Sequence, residues 1–144
     1  MRGILGIDAA WSQRNNSGVA LIVEGQRGWE VRSAASSISD FCSFVHDGPA
    51  LDKGTTAEGV EAVLRLSMGA CPTLALIAVD MPLSLVEIAG RRSADTQISK
   101  EYGGRKCSTH SPSPVRPGPL SGEIVTKCAE LGFPLRTGSC LSPG

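Results

Sequence analysis

Two apolar runs in this chain end in the same way. Gly3–Asp8 (GILGID) and Thr73–Asp80 (TLALIAVD) are hydrophobic along their length and close on an aspartate. Short apolar runs bounded by turn residues predict buried strands. Thr73–Asp80 is the most hydrophobic stretch and lies between Pro72 and Pro82, so it is expected as a central strand covered on both faces. Between the two runs, Gly18–Glu24 and Trp29–Ala35 read as further strands. The turn residues Asn15-Asn16-Ser17-Gly18 and Gly25-Gln26-Arg27-Gly28 separate them, and such short links predict an antiparallel meander.

Helical spacing appears next. Asp40–His46 is expected to open a helix capped by Ser39 or Asp40. Ala57–Met68 has a broad apolar face in Val60, Val63, Leu64 and Leu66, a cap at Thr55 or Thr56, and Gly69 as its end. Beyond Pro82 the pattern weakens. Leu83–Gly90 is a short helix or a loop, Ser93–Tyr102 a helix capped by Ser93, Gly103–Gly122 a long loop, and Ser121–Leu131 a last helix. The reading is one α/β domain over residues 1–136 and an unstructured tail over 137–144, without internal repeats.

Composition narrows this picture a little. The 144 residues are 41% hydrophobic and carry no formal net charge, so no global field draws the chain to nucleic acid or to an anionic membrane. Arginines outnumber lysines ten to four, which suits bidentate phosphate contacts if a local patch exists. The five cysteines form no CxxC pair, so a zinc knuckle is unsupported and reduced thiols are expected. Met1-Arg2 leads directly into the first strand, and no stretch approaches a membrane span. A soluble, cytoplasmic protein is the expectation.

The strand-end acids are the strongest chemical feature. If the two strands are parallel neighbours, Asp8 and Asp80 meet at their tips, where α/β sheets bind ligands. Two close carboxylates repel each other, and a hard divalent cation relieves that repulsion. The same acids serve equally well as caps of the turns that follow. In Gly90-Arg91-Arg92-Ser93-Ala94-Asp95, Arg91 and Arg92 beside a helix start suggest an anion site, and Asp95 either a third metal ligand or a first-turn acid. The loop Arg105–Pro114 is basic and rich in hydroxyls and contains His110, so it either contacts phosphates or is plain surface. Trp11 stacks on a base or sugar, or packs on the sheet. No GxSxG elbow supports serine catalysis.

Taken together, Gly6-Ile7-Asp8-Ala9-Ala10-Trp11, Ser17-Gly18-Val19-Ala20, Ala78-Val79-Asp80-Met81-Pro82-Leu83, Gly90–Asp95, Tyr102-Gly103 and Thr109-His110-Ser111-Pro112 resemble domain-of-unknown-function family 429. Its members are usually described as predicted ribonuclease H-like nucleases. The resemblance runs from residue 1 to about residue 136. It implies a mixed sheet of order 3-2-1-4 with a fifth strand beyond, helices packed on the sheet, and two-metal phosphodiester hydrolysis at Asp8 and Asp80. Asp95 matches the GRRxxD element. A fifth strand, a closing helix and a further acid would follow in the family, whereas Thr137–Gly144 looks unlike it, so a C-terminal truncation is expected.

The leading expectation is a metal-dependent nuclease or phosphodiesterase with Mg²⁺ or Mn²⁺ on Asp8 and Asp80. Arg91, Arg92, Trp11 and His110 would contact a nucleic-acid or small phosphoester substrate. One competing reading is a non-catalytic module that forms a homodimer through an open sheet edge. Another is an actin- or sugar-kinase-like phosphotransferase, but the loop Ala9–Arg14 lacks the Gly/Thr-rich phosphate turn of that class.

Overall fold

The computed structural model describes residues 2–12, 14–45, 55–107 and 109–136. The tail 137–144 therefore lies outside the described residues. Alternation along the first strand, β1 (Gly3–Asp8), sends Leu5 and Ile7 to one face and Ile4, Gly6 and Asp8 to the other. β2 (Gly18–Gly25) pairs antiparallel with it and buries Val19, Leu21 and Val23 beside them. β3 (Gly28–Ala35) follows after a two-residue turn. Gly28 has φ 121°, a left-handed value that a side chain at this position would strain.

The inward face of the sheet is covered by three helices. Ile38 and Phe41 of α1 (Ile38–Val45), Val60, Val63 and Leu64 of α2 (Ala57–Ala70), and Ile124 and Cys128 of α4 (Leu120–Glu130) join the strand residues in one core. Burial of these apolar side chains, at roughly 25 cal/mol per Å², is the main force holding the layers together. On the outer side of this helical layer Lys127 bridges Glu61 (3.1 Å) and Glu130 (3.5 Å), and Arg65 pairs with Glu61 at 2.7 Å.

β4 (Leu74–Val79) lies parallel to β1, giving the order β3-β2-β1-β4 and a mixed α/β sheet as expected. One expectation is corrected here. β4 is the edge strand among the described residues rather than a central one, and Ala75, Leu76 and Ala78 are exposed. Its unbroken apolar run faces an open groove lined by Met68, Val125, Leu131 and Phe133, and such a run does not distinguish a covered strand from an edge over an apolar groove.

Helix ends differ in detail from the pattern-based reading. α1 is capped by Ser37, whose hydroxyl accepts from the Asp40 amide (3.0 Å), not by Ser39 or Asp40. α2 is capped by Thr56 and runs through Gly69 to Ala70. α3 (Ser93–Tyr102) starts from Arg92 rather than Ser93. Leu83–Gly90 forms no helix, and a short 3-10 turn, Gly103–Arg105, interrupts the long loop. No described helix is long and apolar enough to cross a membrane.

Among the described residues no element covers the second sheet face, and its side chains form graded rows. Strand register places Val31, Ile22, Ile4 and Leu76 across the sheet, with Val31 69% and Leu76 49% exposed. The next row is Ala34, Ala20, Gly6 and Ala78. Beyond it lie Gly18, Asp8 and Asp80, and among the described residues the hollow at this end is lined by strand and strand-end residues.

Candidate functional site

The two acids are brought together by the β1–β4 pairing. Asp8 is the last residue of β1, and the Asp80 amide, one step past β4, donates to the Ile7 carbonyl at 2.8 Å. Period-two alternation puts Asp8 on the face of Gly6 and Asp80 on the face of Ala78, which is the bare face. Both are exposed, and neither has an ion-pair partner among the described residues. They line one cavity of about 450 Å³.

The loop after β1 forms one wall of that cavity. Ala9 is buried, and the Ala10 amide donates to the Ser17 hydroxyl at 3.1 Å. Ser17 is itself buried and hydrogen-bonded to the Thr55 hydroxyl just ahead of α2. The loop is thus fixed at both ends, and it presents Trp11 and Asn15 to the cavity. Opposite them stand His110, Ser111 and Arg116. The Trp11 and His110 rings meet edge-to-face, with centroids 5.7 Å apart and planes at 63°. Arg116 projects from a tight turn closed by Ser113 N–H to the Arg116 carbonyl (2.7 Å) and Arg116 N–H to the Ser113 carbonyl (3.1 Å).

Asp95 does not join the acids. It is buried at the start of α3, where its carboxylate accepts from the Arg92 guanidinium (2.8 and 2.9 Å) and the Arg92 amide (3.3 Å). The Arg92 hydrogen bond holds the Asp95 carboxyl below its usual range, and burial opposes this. Arg91 donates to the Asp95 carbonyl at 3.0 Å and to the Ser99 hydroxyl. Neither arginine lines the acid cavity. The structure thus does not bring Asp95, Arg91 or Arg92 to the two strand-end acids: carboxylate and guanidinium groups three residues apart at a helix start satisfy each other. The element acts as scaffold, since Thr109 donates to the Asp95 carbonyl (3.4 Å) next to His110.

Among the described residues no three or more His, Cys, Asp or Glu stand where they could together hold a metal ion. The family model for a protein of unknown function, DUF429, matches residues 6–128. The chain belongs to this family. No curated protein and no solved structure matches it. In this DUF429 chain the matched span begins at Gly6 and takes in both acids, Trp11, α3, His110 and Arg116.

Sequence reasoning found the acids, Trp11 and His110, covered Ser111 only as part of the hydroxyl-rich loop Arg105–Pro114, and missed Asn15 and Arg116. Asn15 read only as a turn former. Arg116 stands in Ser-Pro-Ser-Pro-Val-Arg-Pro-Gly-Pro, where the prolines and glycine announce a loop but not where it folds back. The one available signal was an arginine fixed among prolines.

Proposed function

We propose that this chain is a metal-dependent phosphodiesterase of ribonuclease H type, acting at the bare end of the sheet. The observation that supports it is the convergence of Asp8 and Asp80, exposed and without an ion-pair partner among the described residues, on one cavity flanked by Trp11, His110 and Arg116. The donor set suits a hard divalent ion: two carboxylates on one face and room for water and phosphate oxygens. Asp8 and Asp80 would hold one Mg²⁺ or Mn²⁺. A second ion would need further carboxylates, which the described residues do not supply there, so the proposal stops at one. Such an ion, when bound, polarises a phosphoryl oxygen and makes a water more acidic. The guanidinium of Arg116 would neutralise phosphate charge, and the Trp11–His110 pair would orient the group beside it.

Calorimetric titration of MnCl₂ into the wild type, Asp8→Asn and Asp80→Asn tests the ion site. Saturable binding is expected in the wild type alone, and equal heats in all three would overturn it. Hydrolysis of bis(p-nitrophenyl) phosphate, followed with and without Mn²⁺, tests the chemistry.

A second reading is self-association. Among the described residues β4 has no neighbour on its outer edge and lies beside an apolar groove of about 580 Å³ with Leu76 half exposed, which favours pairing with another copy of this chain. Light scattering on the wild type and Leu76→Lys separates the outcomes: a dimer lost in the variant supports it, and a monomeric wild type refutes it.

A further inference from the structure

Arg116, Trp11 and Asn15 line two cavities, not one. On one side is the acid cavity. On the other is a larger hollow, of about 760 Å³, that extends toward the starts of α2 and α4. Arg14 projects into this second hollow, and it too has no ion-pair partner among the described residues. Trp11 stands on the divide, in edge-to-face contact with His110.

We infer that the two hollows form one continuous subsite for an unpaired nucleic-acid strand. One phosphate would lie at the acids, a base against Trp11, and a neighbouring phosphate at Arg14 and Arg116. This rests on the phosphodiesterase reading for the first phosphate only. The sequence of features matches the repeat of the ligand, which alternates anionic groups with flat apolar rings. A small phosphoester would fill the acid cavity and leave the second hollow unused. The absence of net charge means that no general field supplies this preference, so it depends on these two guanidinium groups and one indole. Four carboxylates oppose it when no ion is bound: Asp8 and Asp80 in the acid cavity, and Glu58 and Glu123, in the first turns of α2 and α4, in the second hollow. Their repulsion sets an upper limit on affinity and gives the test a second sign.

The probe is a fluorescein-labelled oligothymidylate of about eight nucleotides, read by fluorescence anisotropy in low salt with EDTA. Omitting metal separates this subsite from the ion site, which the Mn²⁺ titration reports independently. Arg14→Ala and Arg116→Ala are each expected to weaken binding several-fold and to lower the salt slope by about 0.7. Trp11→Ala should weaken it by at least about fivefold, yet leave an abasic strand unaffected. Glu58→Gln should tighten it. Wild-type affinity in both arginine variants would overturn the inference, as would equal losses on normal and abasic strands in Trp11→Ala. A wild type that binds no strand in EDTA while still binding Mn²⁺ refutes this subsite and leaves the ion site standing.

Discussion

Replacing Asp8 by Asn should stabilise the ion-free protein and remove its response to metal. Neighbouring strands are about 4.8 Å apart, and both carboxylates point to the bare face, so their charges stand roughly 5 Å apart. In water-like dielectric that separation corresponds to about 0.8 kcal/mol of repulsion, reduced to about 0.5 kcal/mol by salt. The amide is isosteric and abolishes that term. For a chain of 144 residues, 1 kcal/mol shifts Tm by about 3 °C, so Asp8→Asn should melt about 1–2 °C above the wild type in EDTA. With Mn²⁺ at about a hundredfold excess over Kd, linkage adds about 2.7 kcal/mol to the wild type. That is a rise of about 8 °C, and the variant should show none. Scanning fluorimetry or circular dichroism in both buffers reads all four numbers. The reasoning fails if Asp8→Asn melts several degrees below the wild type in EDTA while keeping the Mn²⁺ shift. That pattern would make the carboxylate a cap of the following turn.

Three further outcomes follow from the described contacts. The Asp95 carboxyl titrates below its usual range because of Arg92; its contribution is present in full above an unfolded pKa of about 4 and is lost as pH falls through the lower folded value. Asp95→Asn should therefore flatten the acid limb of the stability curve and leave neutral-pH Mn²⁺ binding intact, as read by acid titration of circular dichroism. Ser67 has a buried hydroxyl with no partner among the described residues, so Ser67→Ala should raise stability by about 1 kcal/mol in urea melts. Among the described cysteines only Cys107 is exposed, and burial pushes the Cys42 and Cys128 thiols up. Peptide mapping after brief N-ethylmaleimide treatment should find adducts on Cys107 and none on Cys42 or Cys128.

The sheet was legible because its signals are local and strong. GILGID and LALIAV have no polar interruption before their closing acid, and the two-residue turn at Gln26-Arg27 fixes the hairpin by itself. Parallel pairing of β1 with β4, which makes the acids neighbours, came from family resemblance, since no local pattern encodes a partner seventy residues away. Asp95 stayed ambiguous in the sequence for a physical reason. An acid three residues after an arginine at a helix start reads alike whether it aims at a ligand or at that arginine, and only burial separates the two. Arg14 and Arg116 were illegible because each sits on a loop whose destination depends on distant contacts, such as the Ser17–Thr55 hydrogen bond.

The row Ala34–Ala20–Gly6–Ala78 leaves a low shelf directly behind the acids, with nothing taller than a methyl group. Anything resting there would touch peptide groups and be selected by outline more than by side-chain chemistry. It also separates folding from access. Ala20→Val or Ala78→Val would suit a pleated strand and leave the helical layer untouched, while raising the shelf that adjoins the carboxylates. The fold thus contains positions where the outline of this shelf can be changed without touching the core, so its share in any activity can be measured apart from that of the acid cavity.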